Sequence, residues 1–227
     1  MARVLTLLLA ALATLSTSPV NAAQTWREGE QYDLVHPTQR TNVPAGKVEV
    51  MEVFSYACPG CNGFQPVMEK LKHGLPSNVQ MSFLPASFRP DESFPMFQRA
   101  YFAAQSLGIS DRTHQAMFDA VWKTGELATS DPTTHRLKKP QPTIEDAARC
   151  YERLTGIKAA KFLSVAQSFG VETKMRAADA QVFAMQVPST PCIVVNGKYR
   201  VNLDEIHSTD ELVDLVKFLV AKESGGR

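Results

Sequence analysis

Two cysteines separated by two residues, Cys58-Pro59-Gly60-Cys61, form the part of this 227-residue chain best suited to chemistry. A thiolate is the nucleophile of disulfide exchange, and thiols at this spacing can close on one another or pass a disulfide to another molecule. Other uses of such a pair compete. Haem attachment needs His directly after the second cysteine, and residue 62 is Asn. A structural zinc site needs two more ligands at compatible spacing, whereas Cys150 and Cys192 stand alone without a CxxC or paired His nearby. A purely structural disulfide stays open, although so tight a loop adds little stability.

The elements that must position the pair are legible on either side of it. Lys47 to Tyr56 is rich in Val, Met and Phe and reads as a mostly buried strand. Helical spacing follows in Phe64, Val67, Met68 and Leu71, closing near His73-Gly74, so the motif sits where a strand meets a helix. Pro59 suits the first helical turn, because its missing N–H has no intrahelical partner there; Pro66 falls inside the pattern and predicts a kink. At the helix N-terminus, free N–H groups and the positive dipole end favour a thiolate at Cys58. Cys61, one turn deeper, becomes the resolving partner. A thiolate held in this way stabilises the reduced form and makes the disulfide a better oxidant.

Val79 to Leu84 predicts a second strand. Apolar residues then recur at helical spacing over Met96–Leu107, Thr113–Trp122, Ile144–Leu154 and Ala159–Phe169, interrupted by an aperiodic surface loop over Thr124–Thr143. A further helix over Val171–Met185 leads to Val187-Pro188-Ser189-Thr190-Pro191. Strands Cys192–Val195 and Lys198–Val201 flank Asn196-Gly197, a two-residue hairpin signal. Ser208 with Glu211 caps a last helix whose inner face carries Leu212, Leu215, Val216, Leu219 and Val220. The expected class is α/β: a domain with its first part at 23–88 and its second at 171–227, and a helical insertion at 89–170.

The first residues read as an export signal, 1–22: Arg3 is the only charge ahead of the apolar run Val4 to Leu15, and Val20-Asn21-Ala22 offers small residues for cleavage. An uncleaved anchor is the other reading. The chain carries 24 basic and 23 acidic residues, and losing Arg3 with the leader leaves them balanced. No excess of clustered Lys and Arg favours nucleic acid. An exported chain meets an oxidising compartment, where an even count of four cysteines makes a Cys150–Cys192 bridge, tying the insertion to the scaffold, one expectation. Two buried free thiols acting as small apolar residues are the other. His36, His73, His114, His135 and His207 lack metal or triad spacing and read as surface or loop residues. Phe54, Tyr56, Phe88, Phe94, Phe97 and Phe102 read mostly as core, with an apolar groove near the motif as the alternative.

With the motif, the proline loop and the hairpin in place, the sequence resembles the DsbA family of periplasmic dithiol oxidases. The segments that carry the resemblance are Val53-Phe54-Ser55-Tyr56-Ala57-Cys58-Pro59-Gly60-Cys61 and Thr190-Pro191-Cys192-Ile193-Val194-Val195-Asn196-Gly197-Lys198-Tyr199. It implies a thioredoxin-like fold with an inserted α-helical domain, and a cis peptide between Thr190 and Pro191 facing Cys58. It further implies substrate pairing with the Thr190 backbone and a buried acid, Glu52, that helps move the proton of Cys61. Alternation puts Glu49 and Glu52 on opposite strand faces, so a solvent-facing carboxylate is the competing reading for one of them. The implied activity is donation of a Cys58–Cys61 disulfide to unfolded or partly folded exported proteins in the periplasm. Reoxidation by a DsbB-like membrane quinone oxidoreductase, a monomeric state and no metal or organic cofactor go with it; isomerase or reductase activity and a non-catalytic chaperone are the alternatives. The chain departs from the family in Gly60, where His is common, in Phe83, where the buried acid's basic partner is expected, in Gln65 and in Thr190. Gly60 predicts weaker support for the thiolate, with the helix N-terminus carrying more of it.

Overall fold

The computed structural model describes residues 25–225, so the expected export signal lies outside the described residues. In chain order the elements are strands β1 (Tyr32–Leu34) and β2 (Val48–Phe54), helix α1 (Pro59–Gly74), strand β3 (Val79–Pro85), helices α2 (Phe94–Ser106), α3 (Ser110–Trp122), α4 (Ile144–Thr155), α5 (Ala159–Ala166) and α6 (Phe169–Ala184), strands β4 (Cys192–Val195) and β5 (Tyr199–Val201), and helix α7 (Thr209–Ser224). The strands form one sheet in the order β1-β5-β4-β2-β3. β2 and β3 run parallel, and β4 is antiparallel to both β2 and β5. This is a mixed α/β architecture of thioredoxin type.

β2 lies between β4 and β3, and every one of its residues is buried. One cluster joins Val48, Val50, Ile193 and Val195 to Met68 and Leu71 of α1 and to Leu212, Leu215 and Leu219 of α7. Each large apolar side chain so buried contributes on the order of 2 kcal/mol. A second cluster joins Met51, Val53 and Val194 to Phe97 and Tyr101 of α2, Phe118 of α3 and Val182 of α6. With both faces of the strand covered, alternation exposes neither acid: Glu49 and Glu52 are both fully buried, which corrects the expectation that one could face solvent.

Local chemistry fixes the turns and caps. Asn196 and Gly197 both have positive φ, 52° and 62°, as a tight hairpin of this kind requires. A Cβ on Gly197 would lie 2.3 Å from the Gln39 carbonyl oxygen, so only glycine fits. Ser208 Oγ accepts the Glu211 N–H at 3.1 Å and starts α7. Pro66 lies inside an uninterrupted α1. β1, paired antiparallel with β5, has no counterpart in the sequence reading: three residues with Asp33 in the middle carry no strand signature, and the strand forms because β5 offers it an edge.

Candidate active site

Residues from Ser55 to Cys58 turn the chain out of β2 and into α1. The Cys58 N–H donates to the Ser55 carbonyl at 3.1 Å, and the Ala57 N–H donates to Ser55 Oγ at 3.3 Å. This turn leaves Cys58 as the N-cap of α1, in extended conformation, with Pro59 beginning the first helical turn. Its sulfur accepts the Cys61 N–H at 3.4 Å and lies 3.2 Å from the Thr190 backbone oxygen. The Thr190–Pro191 bond is cis. Thus Cys58, Cys61, Thr190 and Pro191, although Cys58 and Thr190 are 132 positions apart, meet at one corner of the molecule.

Cys58 is 7% exposed and Cys61 is fully buried, as the deeper position of the second cysteine predicts. Hydrogen bonding from the Cys61 side chain is the largest effect on Cys58; with Thr190 and the N–H groups of Cys61 and Gly60, it outweighs burial and brings the thiol down to about 6. Cys61 moves the other way: burial pushes its thiol far up, and the neighbouring Cys58 and Glu52 charges add to that. One sulfur is therefore a stable thiolate and the other a stable thiol. No imidazole from position 60 takes part, since a residue without a side chain stands there.

Glu52 is fully buried, and neither carboxylate oxygen has a hydrogen-bond partner among the described residues. Burial, with a smaller contribution from the Cys58 charge, pushes its carboxyl up to about 8. Phe83 stands directly opposite Glu52 in the β2–β3 register, so an aromatic ring occupies the place where the resemblance puts a basic partner. Against that ring, at 4.2 Å between centroids, packs His114 of α3. His114 is buried, which corrects its reading as a surface residue; its position follows from contacts with Phe54 and Phe83, distant in sequence. Burial brings its imidazole down to about 4, so it is neutral.

Of the other two cysteines, Cys192 directly follows Pro191 at the start of β4 and Cys150 lies on α4. All four cysteines are free, so the bridge expected between Cys150 and Cys192 is not formed. Cys150 Sγ sits 3.5 Å from Arg153 Nη2 on its own helix, and Cys192 stands opposite Val53 on β4. Parity of a cysteine count carries no geometry, and the two residues sit on different elements, α4 and β4. Burial raises both thiols, to about 11 and about 12.

Of the aromatic residues read as core or groove, Phe54, Tyr56, Phe94, Phe97 and Phe102 are buried and only Phe88 is exposed. Phe88 borders an apolar cavity of about 1020 Å³ with Val182, Phe183, Val187 and Pro188, beside the loop that carries Thr190. Phe183 escaped the sequence reading because it sits at the end of α6, a helix whose apolar residues have no single face.

The family described as Thioredoxin matches residues 43–217. Among curated proteins, the thiol:disulfide interchange protein DsbA of Pseudomonas aeruginosa is 31% identical over 178 residues, covering 78% of this chain and 77% of the relative. That of Azotobacter vinelandii is 29% identical over 195 residues, covering 86% and 83%. Among solved structures, oxidoreductase DsbA from Xylella fastidiosa superposes with a TM-score of 0.74 at 30% identity, covering 88% of this chain and 98% of the other.

Proposed function

The chain belongs to the DsbA family of thiol:disulfide interchange proteins, and from that membership we propose that it is a dithiol oxidase whose Cys58–Cys61 disulfide is donated to newly exported proteins. The observation that carries this reading is the division of labour at one helix end, where Cys58 is held as a thiolate while Cys61 beside it is held as a thiol. A thiolate that is stable in the reduced protein is a good leaving group, and this tilts exchange toward oxidation of the client.

In the oxidised protein, a client thiolate attacks Cys58 Sγ, the Cys58–Cys61 bond breaks, and Cys61 leaves and takes up a proton. Glu52, protonated at neutral pH by virtue of its burial, is the buried group able to supply it. A second client thiolate then attacks the client sulfur of the mixed disulfide and releases Cys58 as its thiolate. The client has lost two electrons to the protein, which closes its own disulfide again by passing them to a DsbB-like quinone-linked membrane partner. The Thr190 backbone beside Cys58 offers an extended client segment a strand-like partner. The reading of 1–22 as an export signal supports a periplasmic site for the cycle.

The test is to mix the oxidised protein with a reduced, unfolded dithiol substrate, and the reduced protein with a scrambled one. Rapid oxidation of the first supports this reading. Rescue of the scrambled substrate alone points to an isomerase, and client binding that survives replacement of both Cys58 and Cys61 by Ser points to a chaperone.

A further inference from the structure

Tyr56 stands two residues before Cys58 and is gripped at both ends by one helix. Its hydroxyl lies 3.1 Å from His114 Nδ1, and its backbone carbonyl accepts the Trp122 Nε1–H at 2.8 Å. His114 and Trp122 lie about two turns apart on α3. The ring of His114 is enclosed by Phe54, Tyr56, Phe83, Tyr101 and Phe118, with no charged side chain among its ring contacts. A neutral imidazole in such surroundings has no electrostatic hold on the thiolate. What it supplies is a fixed partner for a buried hydroxyl.

That partner acts at a sensitive place. The turn from Ser55 to Cys58 closes on itself through the bonds of the Cys58 and Ala57 N–H groups to Ser55. Tyr56 is the residue of this turn that α3 holds, and the turn in turn sets where Cys58 Sγ stands. The sulfur accepts the Cys61 N–H at 3.4 Å, an ordinary N–H···S separation, and a shift of the turn that lengthens or bends this contact weakens it.

We propose that His114 and Trp122 are positioning residues: from α3 they hold Tyr56, and through it the turn that presents Cys58 to its N–H donors and to the Thr190–Pro191 loop. They touch neither sulfur nor client. The helices between β3 and β4 thereby tune the reactivity of a cysteine on the sheet domain. The proposal rests on the reading of Cys58 and Cys61 as the exchanging pair.

The experiment uses the reduced full chain and five variants: H114F, H114N, Y56F, the H114F/Y56F double variant and W122F. H114F keeps a ring in the cluster and removes the hydrogen-bond partner, H114N returns a polar partner near Nδ1, and Y56F removes the hydroxyl while leaving α3 untouched. Thiolate formation at Cys58 is followed by its ultraviolet absorbance against pH, beside the rate of exchange with a dithiol peptide and the urea midpoint. The thiolate fraction at pH 6 should fall about threefold in H114F and in Y56F, and the double variant should be no worse than either. H114N should recover most of the loss, and W122F should move the same way as H114F. An unchanged titration in Y56F and H114F, with stability alone reduced, would overturn the proposal, as would an H114N as impaired as H114F. If H114F does not fold, the titration of Y56F decides. Absence of exchange by the unmodified protein would instead overturn the proposed function, while the titration still judges the positioning.

Discussion

The α1 N-terminus and the surroundings of Cys150 and Cys192 submit the same side chain to nearly the same burial, and with opposite results. Cys58 is 7% exposed, Cys192 3% and Cys150 0%. Yet the first thiol falls to about 6, and the others rise to about 12 and about 11. Desolvation disfavours the thiolate in all three places. What separates them is the supply of donors: Cys58 caps a helix and meets the Cys61 thiol and free N–H groups, whereas Cys192 lies in a strand whose N–H groups belong to the sheet. Reactivity in this chain therefore comes from the end of an element, and cysteines packed within elements are kept inert.

The largest expected effect tests this division directly. At pH 7, a thiol with its midpoint near 6 is roughly 90% thiolate, and one near 11 only about one part in ten thousand. Brief treatment of the reduced protein with iodoacetamide should therefore label Cys58 and leave Cys150 and Cys192 unmodified, as read by peptide mass. Comparable labelling of Cys192 would break the comparison. Replacing Cys58 by Ser should lower the exchange rate by about three orders of magnitude or more. Replacing Cys61 by Ser should instead let the Cys58 thiolate attack a client that already carries a disulfide, breaking that bond and holding one client sulfur as a mixed disulfide that Cys61 can no longer resolve, visible on a non-reducing gel.

Next in size is the buried acid beneath the same corner. The Glu52 midpoint of about 8 in the folded protein stands above its ordinary 4.5. Between those values the folded state holds a proton that the unfolded chain has released, so this group's contribution to stability falls as pH rises through the window. Glu52→Gln should remove that slope. In the oxidised protein, where Cys58 does not titrate and its charge no longer adds to the Glu52 shift, burial alone remains, and the variant should gain roughly 2 kcal/mol over the parent between pH 5 and pH 8, judged from urea unfolding. A parallel pH dependence for the two proteins would count against a protonated Glu52. In the reduced protein the lowered Cys58 thiol acts with the opposite sign, adding stability as pH rises above about 6.

A smaller effect is expected at Gly60. A Cβ there would lie 3.1 Å from Pro191 Cδ and 3.7 Å from Cys58 Sγ, in the gap a client must enter. Gly60→Ala gains about 1 kcal/mol of helix propensity against that crowding. Stability should move by less than about 1 kcal/mol while exchange slows about threefold. An unchanged rate would mean that the gap is wider in solution than this geometry requires.

The active corner was legible because its signals are local. A CxxC between a strand run and a helical run, an Asn-Gly hairpin and a Ser cap each act over a few residues, and the proline loop enters the same corner through β4, next to β2. The features that escaped depend on what packs against them. His114 follows Ser110, Asp111, Arg112 and Thr113, a polar stretch that looks solvent-facing until Phe54 and Phe83 close over it. Glu49 reads as exposed by alternation only if one face of β2 is bare. β1 is a strand by virtue of β5, and no count of cysteines could say that Cys150 and Cys192 stay unbonded.

The smallest expected effect is also the one that completes the contrast between the two kinds of cysteine. Cys192 follows Pro191 directly, so proximity in sequence alone would give it a share in the chemistry, and Cys150 would share in it through any bond to Cys192. The geometry assigns both to packing: Cys192 on β4 and Cys150 on α4 are buried, unbonded members of one core cluster, with Val53, Val194, Tyr151 and Phe162. Cys150→Ala and Cys192→Ala each remove one buried sulfur, and each should cost about 1 kcal/mol of stability in urea unfolding. Exchange should stay within about twofold of the parent, because neither sulfur donates to, accepts from or moves Cys58. Peptide mapping of unreduced protein after alkylation under denaturing conditions should find both thiols alkylated. A loss of exchange in Cys192→Ala with stability intact would mean that packing behind the proline loop governs the reactive sulfur as strongly as the donors in front of it.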